Sequence, residues 1–426
     1  MITKSRVPRG RHAVAGSTPD PLGSRAEAAE QTLADGLPAR AKTGRSVRGL
    51  ARWAEVSKCA TAGAAYAARA DDNRLLAGTQ FEAEFGQSPT AIARGARVEA
   101  IGRRNSYAVT IALLREHFDF EVTEVVPADL RHGYQKNRNG MIKRSAETHR
   151  LIGSILRGDP DAPNIIDGAV LPVRLGHATA YLEADGIGAK AGPLLPVLEF
   201  KAWPVVDGRA DDAGKLAEAK RQMGMYRLLT QRVVADLGGD PEVVPPSGLL
   251  ITPRNVGLTL MGNLVDLSLV TNVAEITLRN LPDPAELAGA LPVKPGGHGL
   301  LGFGPVADQA RHVDDRVDDM NLIMDNVGTH FTESCMTSCG LFKLCRERAH
   351  SAGDPRVAGT MTVRSLPGIP HLTRAADLFA GAPATSAESS TGAGPQLDLA
   401  GRLYRAAAIA PAGAFVPVIH AHGAVA

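Results

Sequence analysis

Aromatic residues and net charge are both scarce in this chain of 426 residues. Aromatic side chains make up only 4% of the sequence, and the formal net charge is only +2. A surface that binds nucleic acid must therefore be local, because the molecule as a whole is not basic. The first 19 residues are basic but contain no apolar run, so we expect no secretory signal peptide.

Long uninterrupted apolar runs and nucleotide-binding loops are also lacking. Residues 406–426 are apolar in parts, but Pro411, Gly413, Pro417 and Gly423 interrupt them. We therefore expect no membrane span, and a cytoplasmic protein. The chain has no segment of the form G-x-x-x-x-G-K-S/T, which argues against ATP hydrolysis by a P-loop.

Composition divides the chain into three parts. Residues 1–45 are rich in Arg, Pro, Gly, Ala and Ser, which predicts a basic, disordered arm. Residues 381–396 are of low complexity, and we expect 351–426 to form a weakly ordered tail. Residues 46–350 alternate between helical and extended patterns, which predicts one α/β domain. Helices are predicted at 48–70, 89–118, 141–156, 214–237 and 307–332, and strands at 118–126, 165–173, 178–185, 196–203, 248–252 and 256–260.

The most informative segment is 181–203, YLEADGIGAKAGPLLPVLEFKAW, which is predicted to form strand, turn and strand. Asp185 ends the first strand, and Glu199 and Lys201 lie in the second. Side chains two residues apart on a strand project from the same face, so Glu199 and Lys201 point together. The hairpin returns Asp185 toward that pair.

These residue types suit phosphodiester hydrolysis. The reaction needs a divalent cation that binds a phosphate oxygen and generates hydroxide near neutral pH. Mg²⁺ prefers oxygen ligands, which Asp185, Glu199 and the carbonyl of Phe200 could supply. Lys201 could orient or deprotonate the attacking water and offset negative charge in the transition state. Taken alone, an E-x-K pair is a weak signal, because charged residues at that spacing usually form the solvated face of an ordinary strand.

Two helical segments add further candidates. Gln222 and Tyr226 are four residues apart in a predicted helix and therefore share one face. Gly95 and Glu99 lie in a second predicted helix. Each of these residues is also compatible with a plain amphipathic or exposed helix face.

The four cysteines are Cys59, Cys335, Cys339 and Cys345. Structural disulfides are not expected in a large chain without an export signal. Four thiolates are the number that a tetrahedral zinc ion or a cubane iron–sulfur cluster needs. A thiolate cage that joins distant segments would contribute folding energy. The residues leave an iron–sulfur cluster, a zinc site and four free thiols as alternatives.

The order of these motifs resembles the iron–sulfur branch of the PD-(D/E)XK nucleases, of the RecB/AddB type and similar to the CRISPR adaptation nucleases. That order is Cys, Gly…Glu, Asp, E-x-K, Q-x-x-x-Y and the cysteine trio, and it covers about residues 48–349. The resemblance implies a restriction-endonuclease-like core with a central mixed sheet flanked by helices. It also implies helical N- and C-terminal flanks joined by a 4Fe–4S cluster on the four cysteines.

The same resemblance assigns roles. Asp185, Glu199, the Phe200 carbonyl and Glu99 would hold Mg²⁺ or Mn²⁺, Lys201 would assist the water, and Gln222 and Tyr226 would position the lysine or the DNA backbone. Cys335 and Cys339 are separated by three residues where the family commonly has two, which leaves the cluster type open.

The implied function is a metal-dependent DNase, an exonuclease that acts on single strands or DNA ends in repair, recombination or defence. Any helicase that acts with it would be a separate chain. A basic window could contact DNA or be only solvated; it contains Arg131, His132, Tyr134, Lys136, Arg138, Lys143, Arg144 and Arg150. The alternative function is a catalytically silent module that binds DNA or a partner. A competent residue at every catalytic position favours the nuclease.

Overall fold

The structure is a computed structural model that describes residues 21–42, 50, 58–83 and 89–408. Short gaps fall at 121, 123, 136, 176–177, 190–192, 207–208, 211–212 and 255–257. The expectations for residues 1–20 and 409–426 lie outside the described residues, as does Lys136.

Sixteen helices and ten strands are assigned within the described residues. The helices are α1 (Pro21–Leu33), α2 (Ala60–Ala67), α3 (Asp72–Leu75), α4 (Pro89–Phe118), α5 (Arg138–Leu156), α6 (Ala213–Asp236), α7 (Ser268–Arg279), α8 (Pro284–Gly289), α9 (Gly304–Ala307), α10 (Val313–Val327), α11 (Cys335–Ser338), α12 (Phe342–Ser351), α13 (Thr360–Ser365), α14 (Leu372–Ala380), α15 (Ser386–Ser390) and α16 (Ala393–Ala408). The strands are β1 (Pro127–Asp129), β2 (Ile165–Asp167), β3 (Val170–Leu175), β4 (Ala178–Glu183), β5 (Gly186–Gly188), β6 (Val197–Phe200), β7 (Val205–Val206), β8 (Arg209–Ala210), β9 (Ser247–Pro253) and β10 (Leu260–Asp266).

Six strands form one mixed sheet in the order β1-β2-β5-β6-β9-β10. The β1–β2 and β6–β9 pairs are parallel, and the other pairs in the sheet are antiparallel. Parallel neighbours need a crossover connection, and helices α5 and α6 provide the two crossovers. The prediction of an α/β protein with a mixed sheet flanked by helices is therefore confirmed.

The two faces of the sheet are sorted by strict alternation along β6. Val197 packs into the core that α5 and α6 share with the sheet, whereas Leu198 and Phe200 pack into the core beneath α4. Because side chains alternate between faces, Glu199 points to the side of α5 and α6. The strand therefore presents its carboxylate toward α6.

Helix α4 occupies the predicted residues but is broken in the middle. Asn105, Ser106 and Tyr107 have φ values of 50°, 52° and 63°, in the left-handed region that non-glycine residues rarely adopt. The break is stabilised by the Thr110 Oγ1 hydroxyl, which donates to the Gly102 carbonyl over 2.9 Å. It turns Tyr107 toward the sheet.

A second core joins the two ends of the domain. Residues from α1, α2 and α3 pack with residues from α9, α10, α11 and α12 in one buried cluster. Leu33 at the end of α1 is fully buried in it. The predicted disordered arm at 1–45 is therefore wrong for 21–33, because the apolar side of α1 finds this core to pack against.

Most of the predicted weakly ordered tail is also helical. Its described residues, 351–408, contain α13 to α16 with a small core of Ile369, Ala375, Leu378 and Ala393. The low-complexity segment forms α15, which begins with a capping box between Thr385 and Glu388. Local capping and this small core order a segment that composition alone marked as a linker.

Several predicted elements are displaced. Residues of 118–126 that are described contain no strand, since Asp119 turns the chain with a φ of 51°, and β1 follows at Pro127. The strand predicted at 256–260 begins at Leu260, and its first two residues lie outside the described residues. The helix predicted at 307–332 is the shorter α10. Among the described residues, no helix is long and apolar enough to span a membrane.

Candidate active site

Asp185 lies beside the end of β6 because of the pairing between β5 and β6. Gly186 pairs with Leu198 and Ile187 with Val197 in an antiparallel register. The Asp185 Oδ2 oxygen accepts a hydrogen bond of 3.0 Å from the backbone N–H of Phe200. The N–H and C=O of one strand residue point to the same side, so the Phe200 carbonyl faces this side as well.

Glu199, Lys201 and Gln222 form a hydrogen-bonded chain between β6 and α6. The Lys201 Nζ donates to Glu199 Oε1 over 2.5 Å and to Gln222 Oε1 over 3.0 Å. Gln222 in turn donates from Nε2 to Glu218 Oε1 over 3.1 Å. Only 3% of the Glu199 side chain and 14% of the Lys201 side chain are exposed, so solvent has little access to the pair.

Tyr226 lies one helical turn beyond Gln222 and is buried. Burial raises the pKa of Tyr226, and the negative charges of Glu199, Asp185 and Glu183 raise it further. The three carboxylates therefore lie within electrostatic reach of this hydroxyl. The phenol stays protonated and can act as a hydrogen-bond donor.

An arginine–carboxylate network lies next to Asp185. The Arg131 guanidinium donates to Asp167 Oδ1 over 2.7 Å, to Glu183 Oε1 over 2.7 Å and to the Asp185 backbone oxygen over 3.2 Å. It also lies 3.4 Å from Asp185 Oδ1. Arg144 binds Glu183 Oε2 over 2.8 Å. The sequence placed Arg131 and Arg144 in a basic surface window, but their guanidinium groups lie in the candidate site.

Asp167 is the buried anchor of that network. Its Oδ2 accepts from Arg103 Nε over 2.5 Å and from the Tyr107 hydroxyl over 2.7 Å. Burial raises the pKa of Asp167, but the hydrogen bonds from Arg103, Tyr107 and Arg131 outweigh it, so the net shift is downward. The carboxylate is therefore ionised over the physiological range.

Glu99 lies at the rim of the site, where 29% of its side chain is exposed. Its carboxylate accepts a hydrogen bond of 2.9 Å from Arg103, which also binds Asp167. Glu99 therefore joins the group through an arginine. The bond uses Oε2, so a metal ion would be held by the other carboxylate oxygen.

Sequence reasoning missed Asp167, Glu183, Arg103 and Tyr107. Asp167 had a signal, because an aspartate followed by glycine at the end of an apolar strand marks a functional turn as readily as a structural one. The arginine pairing had no local signal, since Arg103 and Arg131 come from segments that only the fold brings together.

The site is rich in carboxylate oxygens. The hydrogen bonds described above involve six carboxylates and four cations. The carboxylates are Glu99, Asp167, Glu183, Asp185, Glu199 and Glu218, and the cations are Arg103, Arg131, Arg144 and Lys201. Carboxylate oxygens are the donors that Mg²⁺ and Mn²⁺ prefer.

The four cysteines all lie in the buried cluster that joins the ends of the domain. Cys59 precedes α2, and the other three lie in or next to α11 and α12. Burial raises the pKa of Cys59, Cys339 and Cys345. Neighbouring cysteines raise it further: Cys335 acts on Cys59, while Cys59 acts on both Cys339 and Cys345. The fold therefore brings Cys59 within electrostatic reach of all three.

Neither the carboxylates at the sheet nor the four cysteines are arranged as a metal-binding cage in the part of the chain that the structure describes. Within the described ranges, no group of three or more His, Cys, Asp or Glu side chains is arranged so that it could hold a metal ion. At the sheet, the carboxylates are instead bound to arginine and lysine. At the flanks, the thiols are free and buried. The donor chemistry suits a hard cation at the first place and zinc or iron at the second.

Of the other described residues of the basic window, Tyr134 packs partly buried against the main core, and the remaining four are at the surface. His132 is 85% exposed and paired with Asp129, and Arg150 is paired with Glu147 on the same helix. Arg138 and Lys143 are also exposed. These side chains are compatible with phosphate contact and equally with an ordinary solvated face.

Comparison with known proteins adds no relative to this geometry. Family models, curated proteins and solved structures gave no match to the chain. The function is therefore inferred from the contacts described above and from the resemblance of the motifs.

Proposed function

We propose that this chain is a metal-dependent DNA nuclease of the PD-(D/E)XK type, resembling the RecB/AddB iron–sulfur nucleases. The supporting observation is the position of Lys201, whose ammonium group is bound to Glu199 and to Gln222 on the helix that follows. Asp185 is bound to the strand residue between Glu199 and Lys201. Three motif residues of one hairpin and one from the following helix are thus linked at the end of β6.

Each side chain has a role that its contacts support. Asp185, Glu199 and the Phe200 carbonyl would hold Mg²⁺ or Mn²⁺, which when bound polarises the phosphate and lowers the pKa of a bound water. Lys201 orients the attacking water and offsets the negative charge that develops on the phosphate. Gln222 holds Lys201 in place. The protonated Tyr226 hydroxyl would help to position Lys201 or the DNA backbone. Glu99 would act at the rim of the site, either as a further metal ligand or through its hydrogen bond with Arg103.

The proposed substrate is DNA with a single strand or an end. Arg138 and Lys143 are exposed on α5, the helix from which Arg144 enters the site. Cations therefore continue from the site to the surface along one helix, which suits a strand that passes over it. A motor, if one takes part, would be a separate helicase chain.

The four cysteines are proposed to hold a structural 4Fe–4S cluster. Their thiols share one buried core, where burial raises the pKa of Cys59, Cys339 and Cys345 and so disfavours free thiolates. Bound iron would displace the thiol protons and would tie the N- and C-terminal flanks together. Zinc is the alternative, and it is separated by a simple property: a zinc protein is colourless, whereas a 4Fe–4S protein is brown.

The test is cleavage by the protein purified without oxygen. Wild type and Glu199→Gln are incubated with Mn²⁺ and end-labelled single-stranded DNA, linear duplex and covalently closed circles. We expect degradation of single-stranded or open-ended DNA by wild type and its loss in Glu199→Gln. Arg279→Met, which removes a surface arginine paired with Glu275 outside the basic window, serves as the matched control and should cut like wild type.

Binding without cleavage by wild type, with iron present and with both Mn²⁺ and Mg²⁺ supplied, would overturn the nuclease. The chain would then be a DNA- or partner-binding module on the same fold.

A further inference from the structure

Arg131 occupies an unusual place for an arginine near a candidate metal site. Its guanidinium lies among three carboxylates, at 2.7 Å from Asp167, 2.7 Å from Glu183 and 3.4 Å from Asp185. Asp185 is also the residue that reaches the end of β6 through the Phe200 N–H. One oxygen of the Asp185 carboxylate thus lies near Arg131, and the other accepts from the backbone of β6, the strand that carries Glu199.

The arginine is held in this place by a buried anchor. Asp167 is 2% exposed and accepts hydrogen bonds from Arg103, Tyr107 and Arg131 on its two oxygens. These donors occupy the acceptor positions of both Asp167 oxygens. Asp167 therefore orients Arg103 and Arg131 and is not a candidate metal ligand. Charge-assisted, forked contacts of this kind fix a guanidinium more firmly than single contacts do.

The backbone also makes room for the arginines. Gly168 follows Asp167 with a φ of +67°, and a Cβ at that position would lie 2.5 Å from Arg131 Cγ and 2.8 Å from Arg144 Nη2. The glycine therefore permits both guanidinium groups to pass the end of β2. This local geometry would be unnecessary if Arg131 were a solvated surface residue.

Nucleases with two metal ions place them about 3.5–4 Å apart, so that both share ligands and stabilise both sides of the displacement. In this chain, the carboxylates that would build a second metal position already surround a fixed cation. We propose that Arg131 takes the place of a second metal ion, so that each chain binds a single divalent cation between Asp185 and Glu199. This inference depends on the proposed nuclease function. Arg131 is then a positioning residue that supplies permanent positive charge beside Asp185.

The test measures Mn²⁺ binding separately from cleavage. Metal-depleted protein is titrated with Mn²⁺, the free ion is read by electron paramagnetic resonance, and cleavage of single-stranded DNA is measured in parallel. Wild type should bind one Mn²⁺ per chain, and Asp185→Asn should lose it. Arg131→Met should bind Mn²⁺ at least as tightly as wild type, because a nearby positive charge is gone, yet cleave at least tenfold more slowly.

Two further variants separate charge from structure. Arg131→Lys keeps the charge but not the fork, so it should recover part of the lost rate. Arg279→Met removes an exposed arginine paired with Glu275 on α7, outside the basic window, and should match wild type in both measurements. Circular dichroism confirms that each variant is folded.

The possible failures are distinct. Cleavage by a wild type that binds two Mn²⁺ per chain would leave the nuclease standing and overturn the single-cation inference. Loss of Mn²⁺ binding in both Arg131→Met and Arg131→Lys, with the proteins folded, would show that Arg131 only holds Asp185 and would also overturn it. No Mn²⁺ binding and no cleavage by wild type would remove the proposed function and this inference together.

Discussion

Arg316 provides the sharpest stability prediction, because it is a charged side chain placed deep in the core that joins the two ends of the domain. It is 1% exposed and lies on α10. Its guanidinium donates to three backbone carbonyls, those of Val306 over 2.7 Å, Ala77 over 2.9 Å and Leu75 over 3.0 Å. The contacts tie α10, which leads to the cysteine trio, to the segment around α3.

The expected magnitude follows from those contacts. Arg316→Met keeps most of the volume but leaves three carbonyls in the core without their donor. Hydrogen bonds to charged groups contribute about 1.5–3 kcal/mol each, and partial relaxation reduces the sum, so we expect a loss of about 3–5 kcal/mol in the free energy of unfolding. Arg316→Lys, which keeps the charge but cannot reach three carbonyls at once, should lose about half of that.

The assay is urea denaturation followed by circular dichroism, with Arg157→Met as the matched control. Arg157 is 64% exposed and paired with Asp159, so its replacement should change stability by less than about 0.5 kcal/mol. A loss below about 1 kcal/mol for Arg316→Met would refute the reasoning, since it would mean that the carbonyls find other donors or that water reaches them.

Three further predictions concern other parts of the molecule. Gly168→Ala should destabilise the protein by about 1–3 kcal/mol in urea denaturation, since it combines a positive φ with a close approach to Arg131; an unchanged stability would contradict the described turn. Hydrogen bonds from Arg374 hold the pKa of Glu388 down to about 2, so this pair stabilises the C-terminal helices above about pH 4.5 and loses its effect as the pH falls toward 2. The difference in melting temperature between wild type and Glu388→Gln should accordingly shrink over that interval, and a constant difference would argue against the pair. Cys345→Ser should lower iron content and melting temperature together, whereas full retention of iron would exclude this thiol as a ligand.

The sequence predicted the sheet well where the pattern was local. The alternation along this strand predicted that Glu199 and Lys201 point together, and the structure joins their side chains by a hydrogen bond, while Leu198 and Phe200 pack on the other face. The crossover helices α5 and α6 lie within three residues of the predicted bounds, because both are long and α5 is amphipathic.

The helical flanks were predicted less well, because tertiary contacts order them. Composition placed α1 in a disordered arm, and its Leu33 becomes buried only because distant segments such as α9 and α10 complete the core. The break in α4 was invisible for a similar reason. It needs a left-handed run at Asn105–Tyr107 that the residues alone disfavour, and it lets Tyr107 reach Asp167 on a strand 60 residues away in sequence.

The candidate site was predicted in part for the same reason. Asp185, Glu199 and Lys201 share one hairpin, so spacing sufficed to place them together. Arg131 and Asp167 come from different segments, and their pairing depends on the parallel alignment of β1 with β2. No pattern of a few residues carries that information.

Lys201 allows the most direct test of the central claim. The measurement is the rate at which end-labelled single-stranded DNA is degraded in Mn²⁺ by wild type, by Lys201→Ala and by Lys294→Ala. Lys294 is a partly exposed lysine paired with Asp35, outside the proposed DNA path, and it serves as control. We predict degradation by wild type and by Lys294→Ala, and a loss of at least about 100-fold for folded Lys201→Ala. Equal rates for all three proteins, or no degradation by any of them, would contradict the account.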